Sequence, residues 1–136
     1  MTTARYTRRR KSLVPYEAEE MRMLSQWLDL AGVLWAHVPN EQRHRRHGTK
    51  RGVPDVLVFS PPPKDMPARG VAIELKRSSG GVVSDEQEQW LGALRACDWI
   101  AFVADGARAA ITRLEGLGYS LNPNVRVKLE QLGGGQ

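Results

Sequence analysis

The sequence predicts an α/β protein, a small mixed sheet flanked by helices in the order helix, strand, strand, strand, helix, strand, helix. Three observations carry that expectation. Met21, Leu24 and Leu28 recur at three- and four-residue spacing, the signature of one buried helical face. Two short runs rich in branched residues, VLVF and VAIELK, are joined by the proline-rich connector SPPPKDMPARG, which suits neither helix nor strand. Finally, the run WIAFVA directly follows an amphipathic segment, as a buried central strand follows its crossover helix.

Residues 1–14 show no apolar periodicity and are expected to form a disordered basic arm. The first helix is placed from Pro15, a residue suited to a first turn, to a stop at Gly32. Trp27 and Leu30 widen its apolar stripe, which also contains Glu17. VLWAHV, residues 33–38, reads as a strand closed by Pro39 and Asn40. Strands are expected at 56–59 and 71–76. Ser84 is a good helix cap, and Gln87 three residues later completes a capping-box pattern. Trp90, Leu91, Leu94 and Cys97 form the apolar face of that helix, with Cys97 expected to be buried and inert. A strand at 99–104 and a helix at 107–117, ended by Gly118, complete the core. The expected domain runs over 15–121, and 122–136 form a tail with weak alternation in VRVKL.

Composition narrows the function classes. A chain of 136 residues with 41% hydrophobic and 26% charged residues suits one soluble domain with a modest core. No apolar run is long enough to span a bilayer, and no signal-like segment follows the basic N-terminus. The single cysteine excludes an intramolecular disulfide and a cysteine-based zinc site, and a cytoplasmic setting is expected. The formal charge of +5 is matched by the five cations Arg5, Arg8, Arg9, Arg10 and Lys11, with no acid before Glu17. A second acid-free block, RHRRHGTKR, contributes Arg43, Arg45, Arg46, Lys50 and Arg51. Such clusters are a footprint for nucleic acid, although either one alone also fits a solvated tail or loop. His44 and His47 lie three apart in this block, yet without a third ligand they read as phosphate contacts or solvated groups, as does His37.

The chemistry concentrates at the central hairpin. Asp55 starts one strand, and Glu74 and Lys76 end the next. If those strands pair antiparallel, the start of one meets the end of the other. Alternation then puts Glu74 and Lys76 on one face and Ile73 and Leu75 on the other. Two carboxylates and an ammonium at one sheet edge suit Mg²⁺, which takes hard oxygen ligands and accepts phosphate oxygens. The plain alternative is an exposed sheet face bearing a solvated E-x-K.

GVPD, then a strand, a loop and IELK, resembles the PD-(D/E)xK nuclease superfamily, and SDEQEQWL is similar to the S-x-x-Q-x-x-W-L helix of the VRR-NUC family, the virus-type replication-repair nucleases of phage and bacterial proteins and of larger repair enzymes. The resemblance covers about residues 15–118. It implies a restriction-endonuclease-like core in which Asp55 and Glu74 bind metal, Lys76 serves the attacking water, and Gln87 organises the site. It also implies a glutamate from the first helix. YEAEEM offers Glu17, Glu19 and Glu20, with Glu20 preferred, Glu17 a further metal-ligand candidate and Glu19 solvated. The implied activity is a Mg²⁺-dependent (or Mn²⁺-dependent) DNA endonuclease without an organic cofactor, cutting branched DNA such as Holliday junctions as a homodimer. A nicking or less selective nuclease, or an inactive DNA-binding module, are the alternatives.

Overall fold

The computed structural model describes residues 2–39, 50–64, 67–77 and 81–124, with side chains from Glu17 onward in the first stretch. The elements are α1 (Thr2–Ala31), β1 (Trp35–His37), β2 (Val56–Val58), β3 (Val71–Lys76), α2 (Asp85–Ala96), β4 (Ile100–Asp105) and α3 (Ala107–Gly116). The strands form one sheet in the order β1-β2-β3-β4. β1 pairs antiparallel with β2 and β2 with β3, whereas β3 and β4 run parallel across the α2 crossover. The chain is therefore an α/β domain with a mixed four-stranded sheet, as its residue pattern predicts.

The two faces of β3 explain the layering. Val71 and Ile73 join Val56, Val58, Phe102 and Ala104 beneath Leu24 and Leu28 of α1 and Ala110 and Leu114 of α3. Ala72 faces the other way, packing with Ala101 and with Leu91 of α2. Small residues on this second face let the α2 backbone approach the sheet. Leu24, Leu28, Leu91 and Leu114 are all essentially inaccessible, and such burial stabilises by roughly 1.5–3 kcal/mol per side chain.

Three expectations need correction. First, α1 begins at Thr2 rather than Pro15, so helical backbone occupies residues placed in a disordered arm. Apolar periodicity registers a buried face and misses a run of Ala, Arg and Lys that has good helix propensity but no stripe. Pro15 consequently lies inside the helix, where it lacks an N–H for the preceding turn. Second, β1 is shorter than the expected 33–38 and β4 starts one residue later than expected. Third, Cys97 is exposed, because α2 stops at Ala96 and Cys97 turns away as its C-cap. The tail segment VRVKL lies outside the described residues.

The proline-rich connector is anchored near its start. Pro62 is fully buried, and Lys64 N donates to Leu117 O at 3.0 Å. Tyr119 Oη donates to Ser60 O, and burial pushes the Tyr119 phenol up to about 12. Asn122 N donates to Leu30 O, so the chain after α3 returns to the end of α1.

Candidate active site

The site is assembled by strand register. Val56 of β2 pairs with Ile73 of β3, so the next step outward sets Asp55 against Glu74. Asp55 Oδ2 accepts a hydrogen bond from Leu75 N at 2.8 Å, prolonging the ladder with a side chain in place of a backbone carbonyl. Ile73 and Leu75 face α1 and α3. Alternation therefore turns Glu74 and Lys76 towards α2.

Glu74 is 2% exposed. Its Oε2 lies 3.5 Å from Lys76 Nζ, whereas its buried Oε1 has no hydrogen-bond partner. Burial is the chief reason that the Glu74 carboxyl is pushed up to about 8; the neighbouring Asp55 adds to the rise, by sharing a proton and by charge repulsion, while Lys76 opposes it.

Lys76 is held at its tip by Gln87, with Nζ donating to Oε1 at 3.0 Å. The same oxygen accepts from Ser84 N at 2.9 Å, and Ser84 Oγ accepts from Gln87 N at 3.2 Å. Gln87 thus completes the capping box and binds the lysine with one side chain. Gly52 holds the facing loop in place. Its φ of 85° requires glycine, and a Cβ there would fall 2.5 Å from the Glu86 carbonyl carbon. The GVPD loop accordingly rests directly on the first turn of α2.

The first-helix glutamates behave differently. Glu20 Oε2 accepts from Ala107 N at 3.2 Å, capping α3 where Gly106 offers no side chain. That bond ties Glu20 to α3, while Glu17, Glu20, His37, Asp55 and Lys76 all line one cleft of about 580 Å³. Glu17 and Glu19 are exposed. Arg22, Ser25 and Arg77 also border the cleft and escaped the sequence reading, since neither a motif nor a charge run marks them. Lys50 and Arg51 are exposed just before Gly52. Arg43, Arg45 and Arg46, and the side chains of Arg8, Arg9, Arg10 and Lys11, lie outside what the structure describes, as do His44 and His47.

A divalent cation fits the donor set. No group of three or more His, Cys, Asp or Glu able to hold a metal occurs among the described residues. Two carboxylates are enough for Mg²⁺, which keeps several waters and completes its shell with phosphate oxygens. The unpartnered Glu74 Oε1 beside Asp55 is what such an ion would satisfy. Trp27 and Trp35 pack on the α1–α3 side of the core and Trp99 on the α2 side. No described helix is long and apolar enough to cross a membrane.

The sequence model of the VRR-NUC domain family matches residues 15–108. A solved structure, described as a VRR_NUC domain protein, superposes with a TM-score of 0.61 at 19% identity, over 76% of this chain and 88% of its own. That likeness shows a shared restriction-endonuclease-like fold. No curated protein matches the chain.

Proposed function

The chain belongs to the VRR-NUC domain family, a family of nucleases, and we propose from that premise that it is a Mg²⁺-dependent endonuclease of DNA. Branched duplexes such as four-way junctions are the proposed substrates and a homodimer the acting form, its two-fold axis matching two scissile strands. One observation supports metal-dependent hydrolysis above the rest. A carboxylate that is 2% exposed keeps an oxygen without a donor, next to a second carboxylate and within 3.5 Å of an ammonium. Burying such a pair costs stability unless a cation joins it.

Asp55 and Glu74 would hold the ion, whose chemistry is Lewis-acid polarisation of the phosphate and a lower pKa for attacking water. Lys76 presents Nζ beside the carboxylates, where it positions water and meets negative charge growing on the phosphate. Gln87 fixes that Nζ through Oε1. The cations of the arm and of the 43–51 block supply affinity for the phosphate backbone without reading sequence. Deleting residues 1–11 should weaken binding to every DNA shape and flatten its salt dependence; an unchanged slope removes the arm from the interface.

The decisive experiment incubates purified protein with linear duplex, flap, splayed and four-way junction DNA, with and without Mg²⁺ or Mn²⁺, and maps the products. Symmetric cuts in the junction, dependent on the metal, are expected. Nicks spread over all substrates would favour the less selective nuclease. Binding without cleavage under every condition would leave a DNA-binding module.

A further inference from the structure

Lys76 is confined at its stem by Gly81 and held at its tip by Gln87. We infer that the segment from Gly81 to Gln87 is a clamp for this lysine, and that Gly81 and Ser84 are positioning residues of the site. The inference deepens the nuclease reading and rests on it for its kinetic consequence, although the clamp itself is a matter of geometry.

Gly81 acts on the stem. A Cβ at this position would lie 2.6 Å from Lys76 Cβ, 3.1 Å from Cγ and 3.3 Å from Cδ. The first distance is one that real side chains do not adopt, so either the segment or the lysine must retreat. Conformation does not demand glycine here: positive φ values occur at Gly32, Gly52, Gly106 and Gly118 and not at Gly81. The residue is also exposed, so an added methyl group meets no core. Contact with Lys76 is therefore what the missing side chain serves.

Ser84 acts on the tip. Its backbone N–H and the Lys76 ammonium are both donors to Gln87 Oε1, at 2.9 and 3.0 Å. Its hydroxyl accepts from Gln87 N, fixing the turn that aims the amide. A side-chain amide with three rotatable bonds would otherwise sample many orientations. The cap restricts it to one that faces the lysine, and such pre-orientation is what positions a reacting group.

The test compares Gly81→Ala, Ser84→Ala and Ser84→Thr with wild type by two readouts. The first is reductive methylation of the folded protein, with modification at Lys76 quantified by mass spectrometry. Lys76 should be modified at least threefold faster in Gly81→Ala and Ser84→Ala, and at the wild-type rate in Ser84→Thr, which keeps the hydroxyl. Wild-type protection in both Gly81→Ala and Ser84→Ala would overturn the clamp. The second is steady-state cleavage with Mg²⁺. kcat should fall at least tenfold for Gly81→Ala and several-fold for Ser84→Ala while KM for DNA holds, and Ser84→Thr should restore kcat. A parallel change in KM alone, or no rescue by threonine, would also overturn it. If wild type cuts no DNA, the nuclease reading fails, and the methylation rates still decide the clamp.

Discussion

Two glutamates in this domain receive opposite treatment. Glu20, at the junction of α1 and α3, gives its carboxylate to a helix N-terminus, where a backbone N–H and the helix dipole both favour negative charge. Glu74, at the mouth of the β2–β3 hairpin, is buried beside another acid and leaves Oε1 without any donor. The α1–α3 junction is at rest; the hairpin mouth is frustrated. Folding tolerates the second arrangement because β3 is anchored on both faces, by Ile73 under α1 and α3 and by Ala72 under α2. The cost of an unsatisfied carboxylate falls where a cation and a phosphate would offset it.

The sharpest way to break the comparison is to remove each frustrated acid. Asp55→Asn and Glu74→Gln should lower Mg²⁺-dependent cleavage by at least about a hundredfold, the scale of losing one charged contact to a reacting centre. Junction binding in EDTA should persist. Retained cleavage in both variants would remove the carboxylate pair from the chemistry. Lys76→Ala should follow, with a loss of about 10²-fold or more as expected for a displaced proton-handling or charge-stabilising group.

How far this contrast can be read in advance depends on sequence separation. Asp55, Glu74 and Lys76 are legible because alternation is strict within a strand and a hairpin fixes which ends meet. Gln87 is legible because a capping box is local, three residues from Ser84. The Glu20–Ala107 bond spans 87 positions and depends on Gly106 offering no cap, so nothing near Glu20 announces it. The apolar stripe of Met21, Leu24 and Leu28 also cannot say which neighbour α1 meets. The Gly81 contact with Lys76 is hidden for another reason: a missing side chain has meaning only once the atoms around it are known.

A pH series separates the regions without DNA. In metal-free protein Glu74 titrates at about 8, above its ordinary value of 4.5. A carboxyl raised in the folded state binds more protons there than in the unfolded chain, so its contribution is fully present at pH below about 4.5 and is lost as pH rises through about 8. The unfolding free energy measured by denaturant titration should therefore fall between pH 5 and 9, by an amount on the order of a few kcal/mol. Glu74→Gln should flatten that slope and leave the protein more stable than wild type at pH 9. Mg²⁺ should restore wild-type stability most at high pH, where the site is ionised, and should do nothing for Glu74→Gln. A flat wild-type profile would show that the pair is not strained.

Glu20 gives the smallest effect and the finest discrimination. Glu20→Gln keeps an oxygen for Ala107 N but removes the charge at the α3 N-terminus, which should cost about 0.3–1 kcal/mol at neutral pH. Glu20→Ala removes the cap as well and should cost about 1–2 kcal/mol. Both losses should be unaffected by Mg²⁺, and cleavage by Glu20→Gln should exceed that of Glu74→Gln. The reason is positional: Glu20 Oε2 is already bonded to Ala107 N on α3, which ties this carboxylate to the α3 N-terminus. If Glu20→Gln proves as inactive as Glu74→Gln and loses the Mg²⁺-dependent gain in stability, the carboxylate must reach the cation when the site fills, through Oε1 or by releasing Ala107 N. The two glutamates would then be partners of one ion, and their contrast would belong to the metal-free protein alone.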